Sequence, residues 1–277
     1  MNNTNYIMKT SIKTYNPFSG NQLETYELDT KLKLNKKLEL ADETFKTWKQ
    51  FEIDERVELL QNLANELFNN KHKLSKLVTE EMGKPILESK AEIEKCIYLI
   101  DFYTKNAEQF LQDDLIETEA HESFISYDPL GCILAIMPWN YPFWQVFRFA
   151  IPTLTSGNVA LLKHASNVTG CAVAIEKLFI DAGFPKGCFQ TLITDHENVE
   201  NIISNDIIKA VSLTGSEKAG RKIAELAGKN LKLSLLELGG NNAGIILNDA
   251  DLDPPINTLC KSRNAKLWSK VVCRLNH

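Results

Sequence analysis

The chain has 277 residues, enough for one large domain or two ordinary ones with a substantial buried core. Its 44% hydrophobic and 24% charged residues mark a soluble globular protein, and a net charge of −5 gives no reason to expect nucleic acid or a membrane surface as partner. Met1–Gly20 lacks the apolar core of a signal peptide, and no apolar run approaches the roughly 18 residues of a membrane span.

Six scattered cysteines without a CxxC pair read as reduced thiols in a cytoplasmic protein. The five histidines are dispersed as well, so no metal site is expected.

In chain order, residues 1–30 are polar and β-leaning, with a turn at Asn16-Pro17-Phe18-Ser19-Gly20. From about Lys31 to Phe110 the spacing becomes helical. Val57, Leu60, Leu63, Ala64 and Leu67 share one face behind Asp54, which reads as the N-cap. Gly83 ends that helix, Pro85 bars its continuation, and a helical pattern resumes over Ala91–Gln109. Leu111–Glu122 is acidic and aperiodic, and Ser123–Tyr127 alternates like a strand. An interaction arm and a surface hairpin are equally good readings of this excursion.

Beyond Gly131, strands and helices alternate. The expected strands are Cys132–Met137, Val159–Lys163, Thr191–Ile193, Ala210–Leu213 and Lys232–Leu236. The expected helices are Phe143–Thr155, Val168–Ala182, Val199–Ser204 and Ser216–Ala227, the last ended by Gly228. This pattern predicts an α/β fold with a Rossmann-like, mostly parallel sheet and helices on both faces. Ligands of such sheets bind in the crevice beyond the carboxyl ends of the strands.

Several strand ends collect residues suited to chemistry. Pro138-Trp139-Asn140-Tyr141-Pro142 brackets an amide between two prolines, which restricts its backbone and suits Asn140 to donate to a developing oxyanion. Lys163 ends a strand and suits a ribose hydroxyl or a phosphate. Thr214-Gly215-Ser216 opens a helix whose free N–H groups suit a pyrophosphate. Leu235-Leu236-Glu237-Leu238-Gly239-Gly240 delivers one carboxylate to the end of a strand, before a turn. Each has a plain alternative: a Pro-rich turn with Trp139 as core anchor, an exposed lysine, a helix cap at Ser166-Asn167 or Ser216, and a solvated Glu237. No GxGxxG is present.

Taken together and in this order, these segments resemble the signature series of the aldehyde dehydrogenase superfamily. Supporting matches are Asn16–Gly20, Gly157-Asn158, Met82-Gly83-Lys84-Pro85, Pro129-Leu130-Gly131 and Asp249-Ala250-Asp251-Leu252-Asp253. Lys163-His164-Ala165 and Asn241-Asn242 look most like the bacterial succinate-semialdehyde dehydrogenases. The resemblance implies oxidation of a small-molecule aldehyde to an acid through a thioester, with hydride passed to NADP or NAD. It implies Asn140 as oxyanion donor and Glu237 as general base. It assigns Pro138, Trp139, Lys163, Ser166, Gly215, Ser216, Leu238 and Gly239 to the cofactor. Many NAD-preferring relatives carry an acid at position 166; Ser166 repels no 2′-phosphate, so NADP is expected to be accepted.

The same resemblance divides the chain into a helical layer of the coenzyme-binding domain (1–110), an oligomerisation arm (111–130) and the Rossmann-like NAD(P)-binding domain (131–253). It also exposes a departure. The family's nucleophilic cysteine segment is expected near Val271, where Lys266–Val271 does not match, and nothing around Cys273 matches either. Codons allowed for Leu259–Lys270, read one nucleotide later, spell the Asn-Ser-Gly-Gln the family would have here. The expectation is a frameshift near Thr258–Leu259, an off-frame tail over 254–277, a missing catalytic domain and no activity from this chain. The homo-oligomer of full-length members is then in question. Two other readings stand beside this one: a non-catalytic nucleotide-binding fragment, and an interaction partner of a full-length relative. A CoA-using acylating enzyme is disfavoured by Glu237, because hydrolysis needs an activated water.

Overall fold

The computed structural model describes residues 10–240. The segment expected to be off-frame, 254–277 with Cys260 and Cys273, lies outside the described residues, as do Asn241-Asn242 and the Asp249–Asp253 match. Strands β1 (Ser11–Tyr15) and β2 (Gln22–Glu27) form an antiparallel hairpin. Its turn is the one read from sequence: the Asn16 side-chain oxygen accepts from the N–H groups of Phe18 and Ser19 at 2.9 and 3.1 Å.

Three helices follow, α1 (Lys31–Trp48), α2 (Ile53–Met82) and α3 (Ile86–Leu111). Helix α2 is opened by Glu52 in a reciprocal capping box with Glu55, so Asp54 sits inside the first turn instead of capping it. Gly83 closes α2 in the left-handed conformation at φ 76°, as its position before Lys84-Pro85 implies. Helix α3 begins earlier than its apolar period, because its first two turns expose Ile86 and Leu87 and bury Ser89 and Glu92 instead. The next segment forms a short antiparallel ribbon, β3 (Asp114–Leu115) with β4 (Phe124–Ile125).

The α/β part runs β5 (Cys132–Met137), α4 (Trp144–Thr155), β6 (Val159–His164), a 3-10 turn (Ser166–Val168), α5 (Thr169–Asp181) and β7 (Phe189–Thr191). It continues with α6 (Val199–Ser204), β8 (Ile208–Gly215), α7 (Glu217–Lys229) and β9 (Leu233–Leu238). The five strands lie in the order β7-β6-β5-β8-β9, with β5 parallel to both β6 and β8, and β6 parallel to β7. This is the Rossmann-like sheet expected.

Boundaries differ where a neighbouring element takes over a residue. Strand β7 stops at Thr191 because the backbone of Ile193 turns to Asp29: its N–H donates to the Asp29 carboxylate and its carbonyl accepts from Asp29 N–H. Helix α7 continues through Gly228 and ends at Asn230, whose N–H returns to Ala227 and Gly228 carbonyls. Strand β8 extends through Thr214 and Gly215, and β9 includes Glu237. Leu60, Leu63 and Leu67 of α2, Phe147 and Ile151 of α4, and every residue of β6 are buried. Complete burial of an apolar side chain of this size is worth about 1.5–3 kcal/mol. Residues through Glu237 pack as one unit, and Leu238–Gly240 belong to the start of a second.

Candidate functional site

The sheet has one topological switch point. From β5 the chain moves outward through β6 and β7, then returns to lay β8 and β9 on the other side. The crevice of such a sheet opens where the order reverses, beyond the carboxyl ends of β5 and β8. Ile136 is in register with Lys163 on one side and Leu213 on the other. The Pro138–Pro142 loop, the end of β6 and Thr214-Gly215-Ser216 therefore emerge at one level of the sheet.

At the β8 exit, Ser216 is the N-cap of α7 and its hydroxyl accepts from Ala219 N–H at 3.2 Å. The remaining first-turn N–H groups lack intrahelical acceptors by helix geometry. A Cβ at Gly215 would meet only the Leu213 side chain, at 3.9–4.0 Å, so this turn is open to a ligand. At the β6 exit, Lys163 is buried and Ser166 is exposed. The Ser166 side chain caps nothing. The N–H groups of Gly170 and Cys171 at the start of α5 are taken instead by the buried carboxylate of Glu81, both at 2.9 Å.

After β5, Asn140 is half-buried and its side-chain oxygen accepts from Tyr141 N–H at 3.1 Å. The acceptor end of the amide is thus used locally. Trp139 is partly buried against the core. The rest of the loop is held by His164, Lys84 and Glu92, to which the sequence had assigned no such part. His164 contacts the Pro142 carbonyl through Nε2 at 2.9 Å, while its Nδ1 accepts from Ala165 N–H at 2.9 Å. Burial drives the imidazole pKa down to about 4 against the pull of the Pro142 and Met137 carbonyls, so the ring is neutral near pH 7 with its proton on Nε2. Glu92 accepts from the N–H groups of Phe143 and Trp144 at 2.8 and 3.0 Å and is ion-paired with Lys84. Lys84 and His164 stood in the sequence only as members of the Met82–Pro85 and Lys163–Ala165 matches, with no part in holding this loop assigned to them, and Glu92 had no signal beyond its place on a helix.

A groove of about 400 Å³ lies between α4 and strands β5, β8 and β9. Met137, Phe149, Pro152 and Leu235 give it apolar walls, and Gln145, Arg148 and Glu237 are among its polar members. Glu237 is exposed, and its carboxylate is ion-paired with the Arg148 guanidinium. Leu238 closes β9 and Gly239 follows it, both exposed.

The described thiols, Cys96, Cys132, Cys171 and Cys188, are all buried. Burial raises the pKa of each, that of Cys132 to about 12, so none is poised as a nucleophile. Among the described residues no group of three or more His, Cys, Asp or Glu side chains is placed to hold a metal, and no helix is long and apolar enough to cross a membrane.

Comparison with known proteins agrees with this architecture. The model of the aldehyde dehydrogenase family matches residues 5–265. A Synechocystis protein named "probable succinate-semialdehyde dehydrogenase (NADP(+))" is 45% identical over 253 residues, which cover 91% of this chain and 56% of that one. The Escherichia coli succinate semialdehyde dehydrogenase (NAD(P)+) Sad is 40% identical over 248 residues, covering 90% of this chain and 54% of Sad. A crystal structure of succinic semialdehyde dehydrogenase from Streptococcus pyogenes, in complex with NADP+, superposes with a TM-score of 0.88 at 36% identity, covering 91% of this chain and 56% of that one. The chain thus spans a little over half the length of the relatives it matches. With sequence signatures, switch-point sheet and family match in agreement, the chain belongs to the aldehyde dehydrogenase family.

Proposed function

We propose that this chain provides the NADP-binding half, the oxyanion donor and the general base of a site that oxidises a small aldehyde bearing a carboxylate, of the succinate-semialdehyde class. The observation that carries the reading is the convergence of Asn140, Lys163 and Ser216 at the carboxyl ends of three neighbouring parallel strands. An isolated helix cap or a lone surface lysine does not account for all three.

The residues present fit a dinucleotide. The open turn at Gly215 and the first-turn N–H groups of α7 suit a pyrophosphate. Lys163 and Ser166 at the β6 exit suit a ribose and its 2′-phosphate, with no acid at position 166 to repel it. When bound, NADP supplies the hydride acceptor. Asn140 donates its amide N–H to the oxyanion formed on attack at the aldehyde carbon. Glu237 takes the proton of the attacking group once Arg148 releases it. Arg148, a cation among the apolar walls of the groove, suits the far carboxylate of the substrate. The names of the relatives support that substrate class and NADP as cofactor.

A second reading is favoured by the buried thiols. The nucleophile of this chemistry has no candidate within residues 10–240, and residues 10–240 alone would bind nucleotide without turnover. Calorimetric titration of the full chain with NADP+, beside an assay for aldehyde-dependent NADPH formation, tests both. Binding with turnover supports the enzyme, binding alone supports the module, and no binding refutes both.

A further inference from the structure

We infer that Glu92, with Lys84 as its counterion, is a positioning residue that holds the Asn140 loop in the geometry needed at the nicotinamide end of the cofactor. The inference rests on the function proposed above.

Helix α4 starts four residues after Asn140 and has no cap of its own. Its N-cap position is Phe143, which has no polar side chain, and the loop before it contains two prolines. Glu92 supplies the cap from α3. One carboxylate oxygen accepts both the Phe143 and Trp144 N–H groups, and the other takes the Lys84 ammonium. The side chains of Lys84 and Glu92 are 4% and 1% exposed, so solvent does not share these bonds. A buried ion pair is a poor general stabiliser, since its desolvation offsets its attraction. Here every part of it is spent on one local task.

Lys84 adds a second hold: its Nζ lies 3.6 Å from the centre of the Tyr141 ring. His164 adds a third at the Pro142 carbonyl. Tyr141, Pro142, Phe143 and Trp144 are therefore each fixed by another element. Asn140 is the residue these four present to the crevice, and a shift of about 1 Å there would spoil its aim. This gives the Met82-Gly83-Lys84-Pro85 motif a task in the site, although Lys84 lies in sequence far from every strand end.

The test compares binding of NADP+ with that of 2′,5′-ADP, which lacks the nicotinamide end and would use only the Lys163, Ser166 and α7 side. K84M/E92L removes the cap and leaves no unpaired buried charge; K84M/E92Q restores an acceptor for the two N–H groups. K84M/E92L should weaken NADP+ by about fivefold or more and 2′,5′-ADP by less than about twofold, and K84M/E92Q should recover most of the loss. Equal weakening of both ligands, no weakening, or no recovery overturns the inference. In the wild-type chain, amide exchange at Phe143 and Trp144 should be as slow as in the sheet; fast exchange there overturns it without any variant. Failure of wild type to bind either nucleotide refutes the function proposed above, and this inference with it.

Discussion

Arg148 on α4 and Glu237 on β9, 89 residues apart in sequence, meet as an ion pair in the groove beside the switch point. Their side chains are 37% and 47% exposed, so solvent screens the pair and its share of stability should be under about 1 kcal/mol. Arg148→Ala is therefore expected to leave the urea midpoint almost unchanged. If the guanidinium is the seat for a substrate carboxylate, the same variant should weaken succinate binding by about tenfold, measured by calorimetry. Unchanged succinate affinity would remove Arg148 from the substrate site.

His164 makes stability depend on pH. Its folded pKa of about 4 lies below the ordinary 6.5, so between these values the unfolded chain binds more protons. The stabilising contribution of the neutral ring is fully present above pH 6.5 and is lost as pH falls toward 4. The shift corresponds to about 3 kcal/mol. Buried Glu81 and half-buried Glu176 have raised pKa values and act in the opposite sense, so the comparison must be between wild type and His164→Gln. On going from pH 7 to 4.5 the variant should lose less unfolding free energy, or gain more, than wild type. Equal differences would contradict the buried, neutral imidazole.

Gly170 is tied to Glu81 at close range. A Cβ there would lie 2.6 Å from a Glu81 carboxylate oxygen and 2.7 Å from the Tyr26 hydroxyl, with the carboxylate already committed to the α5 N–H groups. Gly170→Ala should lower the free energy of unfolding by about 1–3 kcal/mol in urea titration. A neutral or stabilising result would show that Glu81 can move, and that α5 does not depend on it.

The sheet was legible in the sequence because strands buried on both faces, such as Val159–Lys163, read as continuous apolar runs between helical periods. The placement of Asn140, Lys163 and Ser216 at strand ends was legible because each follows or closes a short apolar run. The roles of Arg148 and Glu92 were not. Whether an ionisable residue on a helix is solvated or buried depends on what another element brings to it, and no period records that. Ser166-Asn167 looked like a cap for α5, but Glu81 reaches those N–H groups from 89 and 90 residues away, and the nearer hydroxyl does not. Gly228 looked like a stop, yet tertiary packing of Leu226 and Ala227 carries α7 past it.

The central claim is that NADP binds with its pyrophosphate at the start of α7. Ser216→Asp tests it most directly, because Asp caps a helix as well as Ser while setting a negative charge where the pyrophosphate would lie. Titration of wild type and variant with NADP+ should give saturable binding in the first and affinity at least about tenfold weaker in the second, with equal melting temperatures. Equal affinity for NADP+ in the two proteins would contradict the claim.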